Sequence, residues 1–84
     1  MRKSIHRPEH AALAALLRDL RLKREMTQVE VCSALGVPQS FLSDVEAGQR
    51  RLDLVQLRDL CQVLGISLGR LVSQFEKRIA EDQG

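Results

Sequence analysis

This 84-residue chain has almost no aromatic residues: it contains no tryptophan, no tyrosine and two phenylalanines, Phe41 and Phe75. So few rings argue against a stacking platform for the bases of single-stranded nucleic acid. Two cysteines cannot build a disulfide framework, and their scarcity fits a reducing cytosol. The longest apolar run, residues 11–17, is far too short to span a bilayer, so we expect a cytoplasmic protein without membrane contacts.

A large excess of one sign of charge is also lacking, because the net charge is only +2, but the charged residues are distributed unevenly along the chain. Residues 1–25 carry seven basic and three acidic side chains, whereas residues 26–48 carry three acidic ones and no lysine or arginine. Such a weak net charge neither demonstrates nor excludes a nucleic-acid partner. The early basic residues predict a flexible arm over residues 1–7, which either lies along a nucleic-acid groove or stays solvated.

Five helices are predicted from the period of the apolar residues and from the residues that start and stop helices. The first begins near Pro8, a residue tolerated in a first turn. Capping boxes, in which two side chains three residues apart satisfy free amides reciprocally, open the second helix at Thr27 and the fourth at Asp53. A short third helix follows Pro38, and Ser67 caps the fifth. No alternating strand pattern competes, so we expect an all-α fold.

Each predicted helix carries one apolar face, which we expect to point into the core. The connections are short, which predicts that residues 8–84 form a single compact domain. The expected inward residues are Leu13, Leu16, Leu17 and Leu20, then Val31, Cys32 and Leu35, then Leu42 and Val45, then Leu54, Leu57, Leu60, Cys61 and Leu64, and finally Leu68, Leu71 and Val72.

Residues 28–45 have the spacing of a helix-turn-helix, in which a tight turn sets one helix closely across another. The close crossing needs a small residue, and Cys32 occupies that position. The turn needs a residue with positive φ, which Gly36 supplies. Apolar residues on both sides fit the crossing. This spacing is typical of domains that present the later helix to a major groove of DNA.

Four short motifs stand out along the chain: Leu20-Arg21-Leu22-Lys23-Arg24-Glu25-Met26-Thr27-Gln28, Leu35-Gly36-Val37, Val45-Glu46-Ala47-Gly48 and Leu64-Gly65-Ile66-Ser67. Together they resemble the Cro and phage-repressor type of helix-turn-helix domain, also called the XRE family. The resemblance covers roughly residues 12–72. It implies a compact five-helix, lambda-repressor-like domain that binds operator DNA, usually as a two-fold dimer, and regulates transcription.

By this resemblance, Gln39, Ser40 and Asp44 match positions that read bases in the major groove of double-stranded DNA, and Ser43 shares their exposed face. The Gln39 amide both donates and accepts, which suits adenine N6 and N7. The Ser40 hydroxyl can bond several bases. The Asp44 carboxylate only accepts, which suits cytosine N4, unless it pairs in the free protein with one of the two arginines that follow the third helix.

Other residues are expected at the DNA backbone. Gln28 matches a residue that contacts the backbone and braces Gln39. Arg50 and Arg51 are expected to meet phosphates, with a solvated basic turn as the alternative. Phe41 is expected to touch a thymine methyl group or a sugar, and packing against a neighbouring helix is the alternative.

Two further residue pairs are expected to hold the protein together. Arg21 and Glu46 match an ion pair of the family that ties the first helix to the end of the third. The apolar stripe of the last helix, predicted over residues 67–82, continues to Phe75 and Ile79. We therefore expect these two residues to help form a symmetric homodimer interface. The alternative is that Phe75 folds onto its own core and Ile79 frays.

Catalysis and cofactor binding find little support in the sequence. There is no nucleophile with a base and no phosphate-binding glycine loop, so we expect neither an enzyme nor a cofactor. His6 and His10 are four residues apart, but the histidines and cysteines together lie on different elements without paired-ligand spacing such as C-x-x-C, so no metal is expected. Cys32 and Cys61 fall on inward faces, which argues against a redox switch.

The sequence therefore predicts a regulator of transcription that binds double-stranded DNA sequence-specifically, as a homodimer on a palindromic operator. The alternative is a protein-binding module, antitoxin-like or acting against another regulator, which uses the helix-turn-helix fold to capture a partner protein. The protein-binding alternative is favoured by Phe41, by Asp44 and by the acidic character of the segment over residues 26–48.

Overall fold

The computed structural model describes residues 7–83, and within them it contains five helices and no strand. The all-α, five-helix prediction is confirmed. Of the predicted basic arm over residues 1–7, only Arg7 lies within the described residues, and His6 lies outside them. The helices are α1 (Pro8–Lys23), α2 (Gln28–Leu35), α3 (Gln39–Glu46), α4 (Leu54–Leu64) and α5 (Leu68–Gln83).

The starts of α2 and α4 follow from their capping boxes. The Thr27 hydroxyl accepts from the Glu30 amide at 3.0 Å, and the Glu30 carboxylate accepts from the Thr27 amide at 2.8 Å. Asp53 and Gln56 repeat this exchange at 2.7 and 3.0 Å. These bonds satisfy amides that a helix start leaves without partners. Pro38, before α3, has no side-chain cap, as its chemistry requires.

The helix-turn-helix crossing forms where the sequence predicts it. Gly36 ends α2 in the left-handed conformation, with φ of 73°, and the chain turns directly into α3. Cys32 is fully buried where α2 crosses α3, and its Sγ lies 3.8 Å from the carbonyl oxygen of Gln39. The small thiol lets the two helices approach closely, so the start of α3 is held against α2.

The core is apolar, and two residues expected in it lie outside. Leu54 is 66% exposed because it is the first residue of α4, beyond the edge of the core. Val72 is 42% exposed because its neighbour Leu71 takes the inward position on α5. The fully buried core residues are Leu16, Leu17, Val31, Cys32, Leu42, Leu60, Cys61 and Leu71, each at most 1% exposed.

Helix α5 packs against α1 and α4. The Arg78 guanidinium donates to the Asp19 carboxylate at 2.9 Å, which adds an exposed ion pair between α5 and α1. Phe75 is half-buried and packs against the core, in agreement with the alternative in which it folds onto its own domain. Over the described part of the chain, no helix is long and apolar enough to cross a lipid bilayer.

Candidate nucleic-acid interface

The outer face of α3 is polar and open to solvent. Gln39, Ser40, Ser43 and Asp44 are all exposed. Residues three and four positions apart are neighbours on a helix, so Ser43 lies beside Gln39 and Ser40, Asp44 lies beside Ser40, and the four side chains form one surface. On the opposite side of α3, Leu42 and Val45 are buried at 1% and 4% exposure and anchor the helix in the core. The structure thus brings the predicted base-reading residues together, and their contacts with bases remain predictions.

Phe41 stands between the polar face and the core. Its side chain is half-buried and packs against the core, which agrees with the packing alternative for this residue. The Arg50 guanidinium carbon lies 4.8 Å from the centre of the Phe41 ring. Arg50, one of the two predicted partners of Asp44, is therefore placed over an aromatic ring. A contact of Phe41 with thymine remains a prediction.

The C-terminal end of α3 is fixed by a network around Glu46. Arg21 donates to both Glu46 oxygens, from Nε at 2.7 Å and from Nη2 at 2.9 Å. The Arg21 Nη1 donates to the Met26 carbonyl oxygen at 2.9 Å. The hydrogen bonds to Glu46 raise the pKa of Arg21 above its ordinary value. These bonds join the end of α1, the turn before α2 and the last residue of α3.

Gln28 belongs to the same network. This position differs from the prediction that Gln28 braces Gln39. Its Nε2 donates to Glu46 Oε1 at 3.0 Å, so it braces Glu46 rather than Gln39. The reason is distance along α3: Gln39 and Glu46 are its first and last residues, about 10 Å apart at about 1.5 Å of rise per residue. A contact of Gln28 with the DNA backbone remains a prediction.

Positive charge lies around α3 but not on it. Residues 28–46 contain no lysine or arginine, whereas Arg50 and Arg51 are exposed just after α3. Arg7 and Arg18 line a shallow cleft beside the end of α3, together with Glu46 and Gln49. Sequence reasoning missed Arg18, because an exposed arginine in the middle of α1 shows no sign of its position until the helices pack.

The two cysteines and His10, the described histidine, are the remaining residues that could carry chemistry. Cys32 and Cys61 are both buried, and burial raises the pKa of the Cys61 thiol. A raised pKa disfavours the reactive thiolate form. Among residues 7–83, no group of three histidine, cysteine or acidic side chains is placed to hold a metal ion, and His10 stands without such partners.

Comparisons of the sequence with known proteins agree with these observations. A family model described as a helix-turn-helix domain matches residues 12–74. An uncharacterized HTH-type transcriptional regulator of Sinorhizobium fredii, y4dJ, is 42% identical over 59 residues, which cover 68% of this chain and 77% of that protein.

The fold is likewise shared with solved structures. An XRE-family-like protein from Pseudomonas syringae pv. tomato superposes with a TM-score of 0.80 at 38% identity, covering 88% of this chain and 90% of that one. The restriction–modification controller protein C.Esp1396I, solved as a tetramer with its natural 35-base-pair operator, superposes with a TM-score of 0.82 at 19% identity, covering 89% and 99%. This chain belongs to the XRE-like family of helix-turn-helix domains.

Proposed function

We propose that this domain is a cytoplasmic, sequence-specific regulator of transcription that binds double-stranded DNA and uses neither a cofactor nor a catalytic step. The observation that carries the proposal is the exposed polar face of α3, which is held rigidly by the core and by Glu46. Two relatives support it: y4dJ is named as a transcriptional regulator, and C.Esp1396I was solved with its operator.

The proposed contacts divide into base reading and phosphate binding. On the polar face, Gln39 suits adenine and Asp44 suits cytosine, and serine hydroxyls between them accept or donate. Arg50 and Arg51 supply cations to the phosphates, and Gln28 adds an amide at the start of α2. Phosphate contacts set the position of α3 in the groove, and only the base contacts then distinguish sequences.

We further propose that the domain acts as a homodimer on a palindrome. Val72 on α5 is 42% exposed, and Phe75 and Ile79 are half-buried. Their helical spacing places these three residues on one face of α5. A second copy seated on this face would cover apolar surface that one copy leaves in water. Two-fold symmetry would then present two copies of α3 to half-sites about 34 Å apart, which is one turn of DNA.

Selection from a random library of DNA duplexes tests this proposal, with purified protein at two salt concentrations. We expect a palindrome to be enriched. Arg50→Ala should weaken binding to every duplex and reduce the slope of log affinity against log salt by about one unit. Lys77→Ala removes the same charge from an exposed site on α5 and should leave the slope unchanged. Enrichment of no sequence would contradict the proposal.

A second candidate function is the capture of a partner protein through the same face. The observation that favours it is the absence of lysine and arginine from residues 28–46, since phosphate neutralisation dominates affinity for DNA. This candidate predicts that the DNA selection fails at moderate salt. It also predicts that Asp44→Lys abolishes binding to a partner isolated by pull-down, whereas Lys77→Ala does not.

A further inference from the structure

The contact between Arg50 and Phe41 has a consequence for how α3 meets DNA. Phe41 projects from α3 and is held in place by the core, whereas Arg50 lies in the exposed segment after α3. The guanidinium carbon is 4.8 Å from the ring centre, within the range of a cation–π interaction. A fixed ring therefore restrains a long side chain that would otherwise sample many rotamers.

Contact with the ring leaves Arg50 able to bind an anion. A guanidinium carries five N–H donors, and the attraction of the cation to the face of a ring requires a hydrogen bond from none of them. Donors that would reach a phosphate are therefore available while the guanidinium carbon lies over Phe41. Arg50 can keep its position over the ring and still bind a phosphate with two parallel hydrogen bonds.

The surroundings of Arg50 make its position important. Residues 28–46 have no positive side chain, so Arg50 is one of the first cations after the base-reading face. Asp44 is exposed on α3 one helical turn after Phe41. An Arg50 side chain that left the ring could pair with this carboxylate, which would cancel the charge needed at a phosphate. The ring holds the guanidinium in a different place.

We propose that Phe41 is a positioning residue for DNA binding, which acts by holding Arg50 ready for a phosphate and not by reading a base. The inference rests on the proposed DNA-binding function. Loss of the cation–π contact should weaken binding about two- to fivefold, the range expected for such a contact at an exposed site. The factor should be the same for all duplexes, because a phosphate contact carries no sequence information.

A double-mutant cycle tests the coupling of the two side chains. Affinity is measured for wild type, Phe41→Leu, Arg50→Ala and the double variant, on the selected palindrome and on a scrambled duplex. Leucine keeps an apolar contact with the core but has no ring. We expect Phe41→Leu to weaken both duplexes equally when Arg50 is present, and to have no effect when Arg50 is absent. Phe41→Tyr keeps the ring and should preserve the coupling.

Nuclear magnetic resonance of the free protein tests the stack without DNA. The Arg50 side-chain protons should be shifted upfield by the ring current, and Phe41→Leu should abolish this shift while Phe41→Tyr retains it. Thermal unfolding verifies that the variants fold, and Phe41→Met replaces the leucine variant if that variant does not.

Two results would overturn the inference while the proposed function stands. One is an equal loss on Phe41→Leu with and without Arg50, and the other is a loss confined to duplexes with thymine at one position. The second result would assign Phe41 to base reading. A wild-type protein that binds no duplex would instead overturn the proposed function and this inference with it.

Discussion

Arg21 and Glu46 are joined by two parallel hydrogen bonds, at 2.7 and 2.9 Å, across twenty-five residues of chain. Their side chains are only 11% and 5% exposed. The paired geometry sets the orientation of both groups as well as their distance. Because Glu46 is the last residue of α3 and Arg21 lies in the last turn of α1, this pair fixes the angle at which α3 stands on the rest of the domain.

Arg21→Ala should destabilise the fold by about 3 kcal/mol, the lower end of the cost of breaking a buried ion pair, because it leaves the Glu46 carboxylate buried without its cation. The measurement is the free energy of unfolding from urea titration. Arg18→Ala, an exposed change one turn earlier in α1, is the matched control and should cost less than about 0.5 kcal/mol. Equal costs for the two variants would show that the pair contributes nothing.

Gly36→Ala and Gly65→Ala should destabilise the protein by similar amounts, about 1–2 kcal/mol each, because φ is 73° and 74° at these two helix ends. A Cβ at Gly36 meets open space, whereas one at Gly65 meets the guanidinium of Arg24. That group is the far end of a flexible, exposed side chain, so we expect it to move aside at little cost. Urea titration of both variants decides the matter.

A markedly larger loss for Gly65→Ala would mean that Arg24 is needed where it stands. In that case Arg24→Ala alone should reproduce the extra loss, since it removes the guanidinium without changing the backbone at Gly65. If Arg24 moves freely, Arg24→Ala should instead leave the free energy of unfolding within about 0.5 kcal/mol of wild type.

Asp44→Asn should tighten binding to DNA of any sequence by up to about 1 kcal/mol, because it removes a negative charge that the phosphates on both sides of the groove would repel. It should also weaken the preference for cytosine at one position if the carboxylate accepts from cytosine N4. Asp59→Asn removes the same charge from an exposed site on α4 and serves as the control. Affinities for the selected palindrome, a single-base variant and a scrambled duplex separate the two effects.

An unchanged affinity of Asp44→Asn for all three duplexes would mean that Asp44 does not face DNA. The base-reading surface would then be confined to the first turn of α3, where Gln39 and Ser40 lie.

Local signals were enough to predict most of the fold. Thr27 and Asp53 start helices through hydrogen bonds to residues three positions away. Gly36 ends a helix because it adopts a positive φ. These three signals do not depend on the rest of the chain. Burial is different, because it depends on which helices lie opposite. Apolar periodicity therefore predicted that Leu54 and Val72 point inward. In the structure Leu54 lies beyond the edge of the core, and Val72 lies on a side of α5 that is open to solvent.

The candidate site divides in the same way. The exposed face of α3 follows from helical spacing alone, so Gln39, Ser40, Ser43 and Asp44 were predictable as a set. The bond from Gln28 to Glu46 and the stack of Arg50 on Phe41 join different elements. Each depends on how α2 and the segment after α3 pack around the recognition helix, which no local pattern encodes.

The proposed dimer predicts that Val72→Ser with Ile79→Ser shifts the protein towards monomer in sedimentation velocity. Phe75 is left intact because it packs against the core, so its truncation would mix folding with association. Helical spacing places Lys77 on another side of α5, so the Lys77→Ser variant is the control and should sediment like wild type. Circular dichroism should show unchanged helix content, because Val72 is 42% exposed in a single copy and the half-buried Ile79 does not pack against the core.

DNA binding supplies the second readout for the dimer. A monomeric variant keeps α3 intact, so it should bind a single half-site as well as wild type does but lose the extra affinity of the full palindrome. If the double variant sediments as the same species as wild type, the interface lies elsewhere. The exposed Leu54 and Val55 at the start of α4, at 66% and 69% exposure, would then be the next apolar surface to test by the same substitutions.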